Sequence, residues 1–132
     1  MGNKASASIK SEKYRTAIRT DNHDFIVDEP IEAEGKDLGP NPGELLSAAL
    51  AACTAITMKM YAARKNWNLE EAIVHVDFER NLKENNTTFI KEIELIGDLS
   101  DEQKQRLFEI AERCPIHRTL ANSIEIKSRE VK

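Results

Sequence analysis

GPNPGELLSAALAACTAITMKMYAARK, residues 39–65, sets the architecture that the rest of the chain must accommodate. Gly39, Pro40, Asn41 and Pro42 cannot continue a strand, and Asn41 followed by Pro42 is an N-cap followed by proline at the first helical position. Glu44 falls in the first turn, where a carboxylate suits the helix dipole. Residues 45–58 then carry no charge, and only Ser47, Thr54 and Thr57 add hydroxyls to an alanine-rich apolar run. A surface helix alternates apolar and charged faces, so a helix apolar all round is expected to be buried on most sides. Lys59, Arg64 and Lys65 place cations toward its C-terminal end, and Asn66 marks its limit. Cys53 lies in the middle of this run.

The elements on either side read as hairpins. Residues 5–11 carry a weak edge-strand signal. Tyr14, Thr16 and Ile18 alternate with Arg15, Ala17 and Arg19, the period of a half-buried strand. Asp21 and Asn22 turn the chain into a second strand at Phe25, Ile26 and Val27, which ends before Asp28-Glu29-Pro30. Residues 30–39 form a polar connection punctuated by Gly35 and Gly39. After the long helix, Val74, Val76 and Phe78 alternate with His75, Asp77 and Glu79 in a strand over residues 72–80. Residues 83–86 turn it, and residues 89–96 return. Ser100 and Gln103 have the form of a capping box. The helix that they open carries Leu107, Ile110, Ala111 and Cys114 on one face, and Pro115 breaks it. A short helix can restart with Cys114 at its N-cap and Pro115 at N1, and Ile124 and Ile126 alternate with Glu125 and Lys127 as a closing strand. The order is α+β, with antiparallel sheet and segregated helices. At 132 residues it is expected to be a single domain, residues 1–132.

A net charge of −4 leaves no basic face for nucleic acid or an anionic membrane. The uncharged part of the helix, residues 45–58, is shorter than the ~20 residues of a membrane span. The first fifteen residues show no apolar core of a secretory signal, and Gly2 with Ser6 matches a myristoylation pattern only loosely. The two cysteines are then expected to be reduced thiols of a cytoplasmic protein.

Those two cysteines are the candidates for chemistry. A free cysteine on an apolar helix ordinarily acts as a small hydrophobe, and Cys53 can be read that way. Cys114 is different, because a thiol at a helix start faces unpaired N–H groups and the positive dipole end, which lower its pKa. Arg113, His117 and Arg118 stand near it, the last two as candidate activators of the thiol. Two cysteines are also the minimum for one thiol that attacks and one that resolves. A metal is not expected: Cys114 and His117 form a C-x-x-H, but Cys53, His23 and His75 are scattered over unrelated elements, and zinc wants three or four ligands.

With GPNPGELLSAALAACT followed much later by AERCPIHRTL, the chain resembles the OsmC/Ohr family, osmotically inducible protein C and the organic hydroperoxide resistance proteins. The resemblance covers nearly the whole chain and leans to the OsmC-like branch through DEP, GPNP and MYAARKNW. It implies an OsmC-like fold, antiparallel sheets wrapped around a long buried central helix, and an intertwined homodimer with its sites at the subunit interface. It also implies a cysteine-based peroxidase without cofactor that reduces organic hydroperoxides in oxidative-stress defence, with an external dithiol as reductant. Carried over, Cys53 matches the peroxidatic cysteine and Cys114 the resolving one, the pair closing as a disulfide. Ohr enzymes add an arginine from the first β region held by a glutamate. Here position 43 is Gly, and the carboxylate stands one residue later at Glu44, about 100° around a helix. Arg15 and Arg19 are the candidate cations. The alternative that this departure favours is a non-catalytic OsmC-like domain binding an apolar small molecule between subunits.

Overall fold

Asn41 starts the central helix by a reciprocal cap. Its Oδ1 accepts the Glu44 N–H at 2.8 Å, and Glu44 Oε1 accepts the Asn41 N–H at 2.9 Å. Glu44 is therefore the N3 partner of a capping box as well as a first-turn carboxylate. In the computed structural model, which describes residues 2–131, the helix so begun is α1, Pro42–Lys65. The chain folds as two compact units, Met1–Leu46 and Ser47–Lys132.

The first unit is built on a three-stranded antiparallel sheet in the order β1 (Ser6–Ile9), β2 (Thr16–Arg19), β3 (Asp24–Val27). Ser6 pairs with Arg19, and Arg19 with Asp24, so the expected hairpin gains the weakly signalled edge strand. Arg15 falls just before β2. Asp28, 2% exposed, organises the loop that follows. Its carboxylate accepts the main-chain N–H groups of Glu29 at 2.8 Å and of Lys36 and Leu38 at 3.3 Å. Within that loop, expected to be irregular, Ile31–Ala33 form a short 3₁₀ turn. Hydrogen bonds to one buried carboxylate replace the ladder that a loop lacks.

The second unit holds most of α1, the hairpin β4 (Glu71–Asn81) and β5 (Asn86–Ile96), and the helices α2 (Asp101–Ala111) and α3 (Pro115–Ala121). Ser100 and Gln103 close their capping box at 2.9 and 3.1 Å, and Cys114 and Pro115 take the N-cap and N1 of α3. In the hairpin, Ala72, Val74, Val76 and Phe78 face the same side as their partners Leu95, Ile93, Lys91 and Phe89. Phe78 stacks on Phe89 with centroids 4.8 Å apart. Met58, Ala62, Leu69, Leu107 and Ala111 form the buried centre of this unit, with Tyr61, Trp67, Val74, Ile93 and Leu95 packed around it. The strands return to the helices through Gly97 at φ +145°, where a Cβ would stand 2.0 Å from the Asn68 carbonyl oxygen.

Three expectations meet the observed fold. First, within one chain α1 is buried along one stripe, Leu50, Thr54, Met58 and Ala62. Ala49, Ala52, Ile56 and Met60 form an exposed apolar row. An alanine-rich composition fixes that several faces can be packed closely, and does not say how many are. Second, α1 is long and apolar enough by length and composition to cross a membrane, whereas the uncharged stretch alone looked too short. Met58 and Ala62 nevertheless sit in the core with Leu107 and Ala111. Third, residues 123–130 form no strand, and Ile126 is 85% exposed. Alternation selects a face, but a strand also needs an edge to pair with.

Leu107 is fully buried in the core cluster, so Leu107→Ala is expected to cost about 2–5 kcal/mol in urea unfolding. Gly97→Ala forces a Cβ against backbone at an unfavourable φ and is expected to cost at least about 1–3 kcal/mol in the same measurement.

Candidate functional site

The start of α3 builds the site. Proline at N1 lacks an N–H, so the first free donors of the turn are those of Ile116 and His117. Cys114, completely buried at the N-cap, accepts the His117 N–H on its sulfur at 3.4 Å. Cys53, half-buried on α1, lies within hydrogen-bonding reach of that sulfur, and both thiols are free. The Ile116 N–H serves both sulfurs, Thr54 reaches Cys114, and Thr57, one turn along α1, reaches Cys53.

These neighbours separate the two thiols. Burial alone raises the Cys114 thiol, but the hydrogen bonds from Cys53, the His117 N–H, Thr54 and the Ile116 N–H outweigh it and bring the thiol below its ordinary value. The Cys53 thiol is raised, first by burial, then by donating its own hydrogen bond to Cys114 and by the charge there. The two thiols therefore titrate as one linked pair, with a proton held between their sulfurs.

A second layer of polar groups stands behind the thiols. Lys91 on β5 donates from Nζ to Thr54 Oγ1 at 3.3 Å and to the Ala111 carbonyl at 3.0 Å, with Glu112 Oε2 at 3.5 Å. Glu112 Oε2 also lies 3.7 Å from His117 Nδ1. A pocket of about 300 Å³ opens beside them, walled by Leu50, Phe89, Leu120 and Ala121, with Lys91, His117 and two threonines as its polar lining. A larger hollow, about 560 Å³, lies on the open β1–β2–β3 sheet, and neither Cys53 nor Cys114 is among the lining residues of either.

Of the residues singled out from sequence, Cys53, Cys114 and His117 come together. His117 acts on Cys114 through its main-chain N–H, while its imidazole faces Glu112. Arg118 is exposed on α3. Arg19 is paired with Asp24 at 3.2 Å in an exposed strand-end contact, Glu44 is engaged in its cap, and Arg15 is half-buried beside β2. Lys91, Thr54 and Glu112 escaped the sequence reading. The signal for Lys91 was present: it is in phase with Phe89, Ile93 and Leu95 on the inner face of β5, where a charge is out of place.

A family model described as OsmC-like protein matches residues 35–129. Among solved structures, the OsmC-like protein of Mycoplasma pneumoniae is similar at TM-score 0.75 and 20% identity, over 89% of this chain and 86% of that one. The organic hydroperoxide resistance protein OhrB of Bacillus subtilis is similar at TM-score 0.62 and 24% identity, over 88% and 87%. An organic hydroperoxide resistance protein OsmC of Legionella pneumophila is similar at TM-score 0.64 and 19% identity, over 87% and 85%. No curated protein matches the chain. At these identities the likeness is one of fold, α+β with antiparallel sheets.

The two thiols should titrate as partners. In Cys53→Ala the remaining thiol loses a donor that holds it down, so its alkylation midpoint is expected to move to higher pH. In Cys114→Ala, Cys53 loses two influences that raise it, and its midpoint is expected to move to lower pH. Iodoacetamide labelling rates against pH measure both shifts.

Proposed function

The chain belongs to the OsmC-like protein family, and from that membership we propose a cysteine-based peroxidase that reduces organic hydroperoxides to alcohols. The observation that carries the reading is the apposition of the only two thiols, Cys53 and Cys114, at the N-terminal turn of α3. Half-buried Cys53 is the accessible member and the one that meets the peroxide. As the substrate arrives, Cys114 takes the Cys53 proton and leaves Cys53 as the thiolate. The Cys53 thiolate attacks the distal oxygen, the O–O bond breaks, and the departing alkoxide takes that proton from Cys114 to leave as the alcohol, so that Cys114 is again the thiolate. Cys53 becomes a sulfenic acid. The Cys114 thiolate then attacks that sulfur, expelling hydroxide that leaves as water, and a Cys53–Cys114 disulfide forms. An external dithiol restores both thiols, which suits a reducing cytoplasm.

The apolar wall of Leu50, Phe89, Leu120 and Ala121 supports an alkyl or acyl hydroperoxide over hydrogen peroxide, which has no apolar surface to bury. The hydroperoxide resistance named for two of the similar structures points the same way. The exposed row Ala49, Ala52, Ile56 and Met60 supports a homodimer closed through α1, since small residues let two helices approach closely.

Stoichiometric organic hydroperoxide added to the reduced protein is expected to give a Cys53–Cys114 disulfide by peptide mass spectrometry, faster than hydrogen peroxide does. Cys114→Ser is expected to stop at a trapped sulfenic acid on Cys53. Thiols that both survive excess peroxide would remove the peroxidase reading and leave a domain that binds an apolar small molecule. Ile56→Arg is expected to turn a dimer into a monomer by analytical ultracentrifugation.

A further inference from the structure

Lys91 is a charge placed where a hydrophobe would pack more cheaply. Its neighbours on the inner face of β5 are Phe89, Ile93 and Leu95, and its side chain is only 9% exposed. Desolvating an ammonium is costly, and its partner must offset that cost. Glu112 offsets it poorly: that carboxylate is 64% exposed and 3.5 Å away. Water screens the anion more than the cation, so a positive field remains directed inward.

That field leads to the thiols through one hydroxyl. Thr54 Oγ1 accepts a hydrogen bond from Lys91 and donates its only proton to the Leu50 carbonyl at 2.8 Å. The same hydroxyl reaches the Cys114 sulfur. One proton thus has two acceptors, and the choice depends on whether the sulfur is charged. An ammonium on the oxygen's lone pair polarises the O–H and makes it a better donor. The charged and titratable groups around this point are Cys53 from α1, Lys91 from β5, Glu112 at the end of α2 and His117 from α3.

We propose that Lys91, acting through the Thr54 hydroxyl, is the positioning residue that holds the negative charge of the Cys53–Cys114 pair. Neutral sulfur leaves the Thr54 proton on the Leu50 carbonyl; ionised sulfur draws it across, with Lys91 steadying the oxygen in both states. A lysine on β5 then does what the family pattern gives to an arginine of the first β region. The inference rests on the pair being the reactive group, and it names the cation that the reading needs.

The test follows thiol ionisation without any peroxide, by ultraviolet thiolate absorbance and peptide-resolved alkylation against pH, with circular dichroism confirming the fold. Lys91→Met is expected to leave about tenfold less thiolate at a given pH on the acid side of the transition, which moves to higher pH. Lys91→Arg is expected to restore it. Thr54→Val, which keeps the volume and removes the hydroxyl, is expected to move the transition the same way, and Thr54→Ser to keep it in place. If Lys91→Met does not fold, the comparison of Thr54→Val with Thr54→Ser reads the same relay. A wild-type titration in folded Lys91→Met or in Thr54→Val overturns the inference. Because no peroxide is present, a Lys91-dependent transition in a protein that peroxide leaves untouched would count against the peroxidase alone.

Discussion

The hydrogen bond from the His117 N–H to the Cys114 sulfur is the contact on which the candidate site depends. A helix start leaves its first N–H groups without partners, and burial makes leaving them so costly. A sulfur at the N-cap takes that load only poorly while it is neutral and much better when it is charged. The need of α3 for a cap and the need of a buried thiol for stabilised charge are thus met by one arrangement. Pro115 sharpens it by removing one donor and fixing where the next ones point. Cys53 belongs to the same arrangement because the Ile116 N–H serves its sulfur as well.

The rest of the second unit keeps that arrangement dry and in register. Leu107, Ile110 and Ala111 bury one side of α2, and the turn that follows sets buried Cys114 at the start of α3. Met58 and Ala62 fix α1 in that core, and the next residue up the buried stripe, Thr54, sits beside Cys53. The inner face of the β4–β5 hairpin supplies apolar cover and a single lysine. Packing and electrostatics are divided between neighbouring residues of the same elements, so a shift in the core would be felt at the sulfur. In the first unit the buried Asp28 does for the loop what α3 does for the thiol, gathering main-chain N–H groups onto one anion.

Most of the architecture was legible in the chain because its signals are local. Asn41-Pro42, Ser100 with Gln103, and Cys114-Pro115 each mark a helix start by chemistry confined to a single turn. Val74, Val76 and Phe78 mark a strand face by period alone. The closing strand at Ile124 and Ile126 failed because pairing is not local, and a pattern cannot supply its own partner edge. The reach of burial around α1 is likewise not local: apolar composition says what can be covered, and neighbours decide what is.

Two thiols, one of them capping a helix, and an α+β alternation of elements are readable from the chain alone, because capping and periodicity are properties of a few consecutive residues. That Cys53 meets Cys114, and that Lys91 reaches Thr54 beside them, emerges only in three dimensions. Those facts depend on distances between α1, β5 and α3, and on how much water remains between them. Neither quantity is written in any one stretch of the chain.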